Sequence, residues 1–430
     1  MLERTEYRMR LLYSLLTHLV APLAFLVQLV RGFGDRAYWD RAGERFGFGL
    51  RVPGPTLWVH AVSVGEVRAA AILVPRLMQR WPGLPVVITT TTPTGARQVR
   101  ELFADRVTHR YLPFDLPGAV CRFLDRVQPR AGIVMETEIW PVLFGECNRR
   151  GIPLTIASAR LSPRSTPRYR RFRGLLREVF AGDVTVAAQS VVDVERYVSV
   201  GANHARTFNA GNVKFDLEVP AEVRAKGRAL REQIGAARPV WIAGSTRDGE
   251  EALLLDAHSR VLVSHSAALL ILVPRHPQRF ADVATLLGRR GVRFATRSRQ
   301  EPVTPGTTVL LVDTLGELLA FYASADVAFV GGTLVAIGGH NLLEPAALGL
   351  PVLTGPHVFN APEVARTLLD AGAAIEVRSE EEVAISVTRL LRDEDERKQR
   401  GEAGLMVLAA NRGAVERVLQ LVAARMPQGS

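Results

Sequence analysis

Residues 56–92 read TLWVHAVSVGEVRAAAILVPRLMQRWPGLPVVITTTT, and this stretch decides the fold class. It begins with a short apolar run, continues with a helical stretch over 67–81 and ends in a second apolar run over 86–92. Strand-like runs on either side of a helix indicate a strand–helix–strand unit whose two strands are parallel. The stretch therefore predicts a doubly wound α/β fold.

The same alternation continues along the chain in two series, separated by a charged, helix-prone stretch over 215–238. Further strands of the first series are predicted at 131–138, 152–160, 183–190 and 205–214, and those of the second at 239–245, 268–275, 292–297, 308–314, 327–332 and 351–355. We therefore predict an N-terminal Rossmann-like domain over 33–216, a linker over 217–238 and a C-terminal Rossmann-like domain over 239–430.

The composition is that of a globular protein. Of 430 residues, 47% are hydrophobic and 23% are charged, which excludes disordered, collagen-like and coiled-coil chains. The two cysteines, Cys121 and Cys147, are too few for a disulfide framework, and no Cys/His spacing suggests structural zinc. We therefore expect a reducing compartment. The net charge of +11 suits partners that carry phosphate, either nucleic acid or an anionic membrane.

The N-terminal stretch 11–30, LLYSLLTHLVAPLAFLVQLV, is strongly apolar. As a helix it is about 30 Å long, enough to cross the hydrocarbon core of a bilayer. His18, Pro22 and Gln28 weaken the prediction of a membrane-spanning helix, and no small-residue cleavage site follows. We predict an uncleaved membrane anchor over 1–32, either spanning the bilayer or lying in its interface. The alternative is a buried amphipathic helix of the soluble domain.

Candidate site residues of the first series follow its strands, because open α/β sheets bind ligands beyond the carboxyl ends of strands. Ser63 and Gly65 open a helix whose N-terminus could attract an anion, although an ordinary helix cap is the simpler interpretation. Glu136 and Glu138 follow a buried strand, so they are either a structural pair with nearby arginines or functional. Lys214, one of three lysines, is a candidate cation for a developing negative charge.

The second series carries a predicted nucleotide-sugar site. Arg275 places a fixed cation after one strand, and Glu317 follows another. The run GGHNLLEPA, residues 338–346, reads as a glycine-rich loop that feeds a helix. Its glycines would allow close backbone approach, its helix N-terminus would receive a phosphate, and Glu344 could accept from ribose hydroxyls. The alternative is that the glycines serve packing alone.

A basic stretch over 160–177, RLSPRSTPRYRRFRGLLR, carries seven arginines and no acidic residue. Such a run is either a solvated face or a surface for anionic lipid. Nucleic acid is the weaker interpretation, because only Tyr169 and Phe172 are interleaved with the arginines and no known binding motif is present.

Seven short motifs occur along the chain, and their order and spacing are informative. They are HAVSVGEV (60–67), ETEIWP (136–141), ARLSPRS (159–165), GNVKFD (211–216), GST..GEE (244–251), PRHPQRF (274–280) and GGHNLLEPA (338–346). Together they resemble the 3-deoxy-D-manno-octulosonic acid (Kdo) transferases of Gram-negative lipopolysaccharide synthesis, and the resemblance covers nearly the whole chain. It implies a GT-B glycosyltransferase architecture, with two Rossmann-like domains facing a cleft. It also implies inverting transfer of Kdo from CMP-Kdo to a lipid A precursor on the cytoplasmic side of the inner membrane.

The resemblance also assigns roles to individual residues. It places the general base, which takes the proton of the acceptor hydroxyl, on Glu44; taken alone, Glu44 would be interpreted as a surface residue beside two arginines. It implies transition-state stabilisation by Glu136 and Lys214. The contacts to CMP that it implies fall on Pro274, Arg275, Leu315, Gly316, Glu317, Asn341, Leu342, Leu343 and Glu344.

Neither a metal nor a cofactor is expected. CMP leaves as a phosphate monoester, so protein cations and helix N-termini could take the place of a metal. Three positions depart from the family's usual residues: Arg247 stands where a His is usual, Val142 where an Asn is common, and Ala361 where a Phe is common.

Two other functions stay open at this point. One is a sugar-nucleotide epimerase on the same two-domain fold, which predicts a soluble protein. The other is a non-catalytic module that binds a membrane or RNA. The residues determine neither the number of Kdo units transferred, nor the acyl preference for the acceptor, nor the oligomeric state.

Overall fold

The protein is described here by a computed structural model that covers the backbone of residues 2–426 and the side chains of residues 13 and 15–426. Its contacts divide the chain into two compact units. The N-terminal unit comprises Met1–Asp216 together with Arg412–Ser430, and the C-terminal unit comprises Leu217–Asn411. Each unit is built on one seven-stranded parallel sheet.

The sheet of the N-terminal unit has the order β3-β2-β1-β4-β5-β6-β7. Side chains of β1 alternate between its two faces, with Trp58 in one buried cluster and Leu57 and Val59 in another. Both faces are therefore covered, as parallel sheets require. Its strands are β1 (Thr56–His60), β2 (Val86–Thr90), β3 (Thr108–Tyr111), β4 (Pro129–Met135), β5 (Leu154–Ala159), β6 (Val184–Ala188) and β7 (Thr207–Asn209). Its first eight helices are α1 (Leu2–Gly34), α2 (Val64–Arg80), α3 (Pro93–Phe103), α4 (Pro117–Val127), α5 (Pro141–Arg149), α6 (Thr166–Arg171), α7 (Arg173–Ala181) and α8 (Val191–Val200).

The sheet of the C-terminal unit has the order β10-β11-β9-β8-β12-β13-β14. Its strands are β8 (Val240–Thr246), β9 (Leu269–Pro274), β10 (Phe294–Thr296), β11 (Val309–Leu311), β12 (Val327–Val330), β13 (Val352–Thr354) and β14 (Ala374–Glu376). Its helices are α9 (Ala221–Ile234), α10 (Glu250–Ser264), α11 (Phe280–Arg289), α12 (Leu318–Tyr322), α13 (Leu343–Ala346), α14 (Pro362–Asp370), α15 (Glu380–Arg392) and α16 (Glu394–Asn411). One more helix, α17 (Ala414–Ala423), follows in the chain.

The predicted α/β class is confirmed, but each sheet contains a strand that the sequence did not indicate. Strand β3 reads THRY, and its polar residues give no apolar run. Strand β14 is only three residues long. The predicted strand over 205–214 is also shorter than expected, because β7 ends at Asn209 and Lys214 lies in a short 3-10 turn, Val213–Asp216.

The boundaries of the units differ from the predicted ones at two places. The predicted linker over 217–238 contains α9, whose Leu230 and Ile234 belong to the buried core of the C-terminal unit. Helix α17, predicted within the C-terminal domain, instead packs Val418 and Leu419 into the core of the N-terminal unit. Both segments are amphipathic, and amphipathicity alone does not say which sheet a helix covers.

Helix α1 contains the predicted anchor. Its segment Leu15–Gly34 has a mean hydropathy of 1.5 and is long and apolar enough to cross a membrane. The alternative of a buried helix of the soluble domain is not supported, because only 11% of the apolar window is buried. The side chains of the first twelve residues of the predicted anchor lie outside the described residues.

Candidate active site

Glu136 and Lys214 form an ion pair at the carboxyl end of the N-terminal sheet. Strand β4 ends at Met135, and Glu136 takes a left-handed conformation with φ of 59° while its N–H still donates to Ala157 O at 2.9 Å. The Nζ of Lys214 donates to Oε1 of Glu136 at 2.7 Å, and each side chain is about one-fifth exposed, 23% and 22%. The structure thus joins two predicted residues, and the cation that pairs with Glu136 is a lysine, whereas the structural alternative named arginines.

Ser63 forms a capping box with Glu66 at the start of α2. Its Oγ accepts from the N–H of Glu66 at 3.3 Å, and the Glu66 carboxylate accepts from Ser63 Oγ at 3.1 Å and from Val62 N at 2.7 Å. This is the ordinary cap that the sequence offered as the simpler interpretation. A Cβ on Gly65 would meet only Ser63 Oγ, at 3.8 Å, so the backbone is approachable there.

Glu66 is a residue of this site that the sequence reasoning did not select. Its pKa is raised to about 8, mainly by burial and then by the nearby carboxylates of Glu136 and Glu138, although the hydrogen bonds from Val62 and Ser63 oppose the rise. The three acids lie close together because β1 and β4 are neighbours in the sheet. The spacing of Ser63 and Glu66 was the available signal, since it is typical of a capping box.

Glu44 is buried, which corrects its interpretation as a surface residue. It lies in a short turn, Ala42–Phe46, and its side chain is 8% exposed. One carboxylate oxygen, Oε2, accepts from the N–H of Tyr111 at 2.8 Å. The other, Oε1, lies 3.6 Å from Nη1 of Arg41 and 3.9 Å from Nε of Arg110. The turn docks on β3, which the sequence did not reveal.

The surroundings of Glu44 are strongly basic. Arg45 is buried, donates to Thr91 O at 2.6 Å and lies over the ring of Tyr111 at 4.2 Å; burial lowers its pKa to about 10. Arg41 lies over the same ring at 4.8 Å. A small pocket lined by Glu44, Arg110 and Tyr111 lies against the carboxylate.

Glu44 and the Glu136–Lys214 pair lie at the same edge of the sheet but are not in contact. Glu44 binds the last residue of β3, whereas Glu136 follows β4. Strands β2 and β1 lie between them, so three strand spacings separate the two groups, about 14 Å.

In the C-terminal unit, Glu317 is held by cations of its own unit. It accepts from Arg297 Nη2 at 2.9 Å, from Lys226 Nζ at 2.8 Å and from Thr314 Oγ1 at 2.6 Å. These hydrogen bonds, above all those from Arg297, lower its pKa to about 2. Leu315 and Gly316, which precede Glu317 and were also predicted to contact CMP, lie on the same loop: Gly316 has φ of 81°, and Leu315 is exposed.

Strand β9 ends at Pro274, and Arg275 follows it directly. Both Arg275 and Arg247, which stands where the family usually has a His, lie near His276. The N–H of Arg275 donates to Thr246 O at 3.0 Å, which ties it to the end of β8. The guanidinium of Arg247 contacts the ring of His276, whose pKa is lowered by burial and then by the two arginines. The departure from the family's usual His therefore adds positive charge at the carboxyl ends of two neighbouring strands.

The glycine-rich run over 338–346 leads into α13, which is only one turn long. Asn341 Oδ1 accepts from the N–H of Leu343 at 3.1 Å, and its Nδ2 donates to Glu344 Oε1 at 3.1 Å. Leu342 and Leu343 are buried, so a ligand could meet them only through their backbone. A Cβ on Gly338 would overlap Phe359 and Asn360, which favours the packing alternative for this glycine.

Glu250 is a second residue that the sequence reasoning passed over. It is fully buried at the start of α10, and its carboxylate accepts four backbone N–H groups. Three of them belong to the loop after β12. The donors are Arg247 at 3.0 Å, Gly332 at 2.7 Å, Thr333 at 2.9 Å and Leu334 at 3.0 Å. The sequence feature that could have pointed to Glu250 is the GEE of the motif over 244–251, because it places two acidic residues at the start of a helix.

Comparison with known proteins decides the family. Residues 40–217 match the family described as 3-deoxy-D-manno-octulosonic-acid transferase (kdotransferase), and residues 293–406 match the glycosyl transferases group 1. A Haemophilus influenzae 3-deoxy-D-manno-octulosonic acid transferase is 41% identical over 417 residues, which cover 96% of this chain and 98% of that protein. The chain belongs to the Kdo transferase family. A Bordetella pertussis 3-deoxy-D-manno-octulosonic acid transferase is 40% identical over 95% of this chain and 97% of its own length.

Solved structures place this Kdo transferase in the GT-B fold class. A Rickettsia africae glycosyltransferase superposes with a TM-score of 0.53 at 12% identity, over 87% of this chain and 100% of that one. A Listeria monocytogenes protein described as a UDP-N-acetylglucosamine 2-epimerase gives 0.53 at 14% identity, over 87% and 96%. Both show the fold alone. Because transferases and epimerases share it, family membership rather than fold identifies this Kdo transferase as a glycosyltransferase.

No group of three or more His, Cys, Asp and Glu side chains that could hold a metal ion occurs among the residues described for this Kdo transferase. Independence from metal stays a prediction, which an assay in the presence of a chelator tests.

Proposed function

We propose that this Kdo transferase moves Kdo from CMP-Kdo onto a lipid A precursor, with inversion at the anomeric carbon, at the cytoplasmic face of the inner membrane. The observation that carries the proposal is Glu44: a buried carboxylate held at the carboxyl edge of the N-terminal sheet, among arginines that suit an anionic acceptor. Membership of the Kdo transferase family supports Kdo as the sugar that is transferred.

Glu44 acts as the general base. Its Oε2 is held by the Tyr111 N–H, while Oε1 lies beyond hydrogen-bond distance of Arg41 and Arg110 and so can accept from an acceptor hydroxyl. The acceptor oxygen attacks the anomeric carbon as its proton passes to Oε1. The bond from that carbon to the phosphate oxygen breaks, and CMP takes the electron pair. The Tyr111 contact fixes the carboxylate so that little reorganisation is needed.

Lys214 stabilises negative charge that develops during transfer, and Glu136 positions it. An ammonium has three donors, and Glu136 takes one of them at 2.7 Å, which leaves the others for a ligand. This gives Glu136 a role that its charge alone does not suggest, because a carboxylate by itself would disfavour the leaving phosphate. Arg275 and Arg247 provide further cations in the C-terminal unit, and these take the place of a metal for the phosphate of CMP.

The decisive experiment incubates the purified protein with CMP-Kdo and tetra-acylated lipid A precursor, with a chelator present, and weighs the products. Addition of Kdo mass supports donor, acceptor and metal independence together, and the number of additions gives the number of units transferred. Product with magnesium but not with chelator would overturn only the metal prediction. No product in either condition would overturn the proposed substrates.

The base is tested with Glu44→Gln, which keeps the size of the side chain but cannot take a proton. We expect transfer to fall by about 100- to 10,000-fold, while CMP binding, measured by calorimetry, stays within about twofold because Glu44 lies in the other unit. Glu195→Gln, an exposed residue of the same unit, is the matched control. Transfer by Glu44→Gln at more than a tenth of the wild-type rate would exclude Glu44 as the base.

A further inference from the structure

Helix α1 buries one continuous side against the N-terminal unit. Its buried and half-buried positions recur every three or four residues, as one face of a helix does. From the first to the last of them the helix rises about 29 Å, nearly the thickness of a bilayer core. The positions are Tyr13, Thr17, Ala21, Ala24, Phe25, Gln28 and Gly32.

Specific contacts fix this side at both ends and in the middle. Tyr13 donates to the buried carboxylate of Asp115 at 2.9 Å, and that carboxylate also accepts from the first backbone N–H groups of α5. The rings of Phe25 and Phe46 meet edge to face at 5.1 Å, and the Trp39 indole donates to Leu29 O at 2.9 Å. A helix that crossed the bilayer would draw these partners, a carboxylate among them, into hydrocarbon.

The opposite side of α1 is a continuous apolar surface. Seven large apolar side chains on it have exposed fractions between 54% and 82%. Soluble proteins rarely expose so large a contiguous apolar surface without a partner. The seven are Leu15, Leu16, Leu19, Leu23, Leu26, Val30 and Phe33.

The basic stretch lies on helices that neighbour α1: α7 contacts α1, and α6 contacts α7. Helix α1 packs on α7, and Tyr13 contacts the same buried cluster as Leu176 and Phe180 of α7. Phe172, between α6 and α7, is 48% exposed. No described carboxylate forms an ion pair with the exposed arginines of these two helices, so they suit anionic headgroups. These arginines are Arg168, Arg170, Arg171, Arg173 and Arg177.

We propose that α1 lies in the plane of the membrane interface rather than crossing the bilayer, with its exposed apolar side in the headgroup and acyl boundary and the arginines of α6 and α7 on anionic phospholipid. Helices of this kind bury one face about 5–10 Å into that boundary. The inference rests on the proposed function only in requiring that the enzyme works at a membrane. It gives the N-terminal unit one fixed orientation to the lipid surface.

The depth of α1 tests the orientation. Full-length protein with Cys121→Ser carries a fluorophore on a single introduced cysteine, in Leu16→Cys, Leu23→Cys or Val30→Cys, and is bound to phosphatidylcholine vesicles containing phosphatidylglycerol. Lipids brominated at graded depths quench the fluorophore. We expect one shallow depth for all three positions. A profile with Leu23 near the bilayer centre and the others shallow would show a spanning helix, and absence of quenching at all three would show that α1 stays outside the lipid; either result overturns the proposal.

The arginine surface is tested by charge reversal. Arg171→Glu with Arg173→Glu should weaken vesicle binding at least about 25-fold, since each basic residue at an anionic surface contributes about fivefold. Arg80→Glu with Arg289→Glu, two exposed residues outside these helices, changes the net charge equally and is the control. Equal weakening by both pairs would overturn the role of α6 and α7. Transfer by the wild-type protein to acceptor in detergent is measured in parallel, because failure there refutes the proposed function and leaves the depth result standing.

Discussion

Removal of the Glu250 carboxylate should loosen the loop after β12. This side chain is fully buried and accepts four backbone N–H groups between 2.7 and 3.0 Å. Of the donors, Gly332 and Thr333 are themselves buried, so Glu250→Ala leaves two of them without a partner and away from water. An unsatisfied buried donor costs about 1–3 kcal/mol, which gives a loss of about 2–6 kcal/mol.

Calorimetry and hydrogen exchange measure this loss. For a unit of this size each kcal/mol lowers the melting temperature by about 2–4 °C, so a loss of about 4 kcal/mol lowers it by about 8–16 °C. The amides of Gly332, Thr333 and Leu334 should exchange faster, while peptides of the N-terminal sheet should not change. Glu402→Ala, at an exposed position of the same unit, is the control. A melting temperature within about 2 °C of wild type, with unchanged exchange in the loop, would refute the reasoning.

Three further changes have defined outcomes. Lys214→Met should lower the rate of transfer about 100- to 1,000-fold in the product assay, and a loss below tenfold would contradict its role. The pKa of Glu66 is raised from 4.5 to about 8, so the folded unit holds a proton that the unfolded chain releases, and stability falls as pH rises between these values. Glu66→Gln should therefore be more stable than wild type in urea at pH 8.5 and equal to it at pH 4; a constant difference would exclude the linkage. At Gly47, φ is 79° and an added Cβ would overlap Ala119 O, so Gly47→Ala should lower the free energy of unfolding by about 2–4 kcal/mol in thermal denaturation. Gly54→Ala is the control, because φ there is 71° but nothing lies within 4 Å, and it should cost only about 1 kcal/mol. Equal losses of stability in the two variants would show that the overlap at Gly47 is relieved.

Apolar runs were enough to predict two parallel sheets, because strands buried on both faces read as continuous hydrophobic segments. The two strands that escaped prediction lie at sheet edges, where β3 is polar and β14 is short. The assignment of α17 failed for another reason. Its apolar face is plain in the sequence, but only the folded chain shows that this face covers the N-terminal sheet.

In the site, too, some features follow from the sequence and others appear only in the folded chain. That Glu136 and Lys214 lie near one edge follows from parallel topology, whereas their direct contact depends on the left-handed backbone at Glu136, which no residue pattern indicates. The burial of Glu44 depends on docking against β3, so it could not be predicted once that strand was missed. Ion pairs such as that of Glu317 with Lys226 join residues far apart in sequence and leave no local signal.

The position of α17 has a consequence for synthesis of the protein. The carboxylate of Asp216 accepts the N–H groups of Gly413 and Val415, both at 2.6 Å, so the segment that closes the first core is made nearly two hundred residues after the rest of it. While the ribosome translates the intervening unit, the part of the first sheet that α17 covers stays open and apolar, although α2 and α3 already cover the rest of that face. The second unit can then fold before the first is complete. A nascent chain of this kind has a long period in which a chaperone, or another nascent chain, can bind the uncovered part.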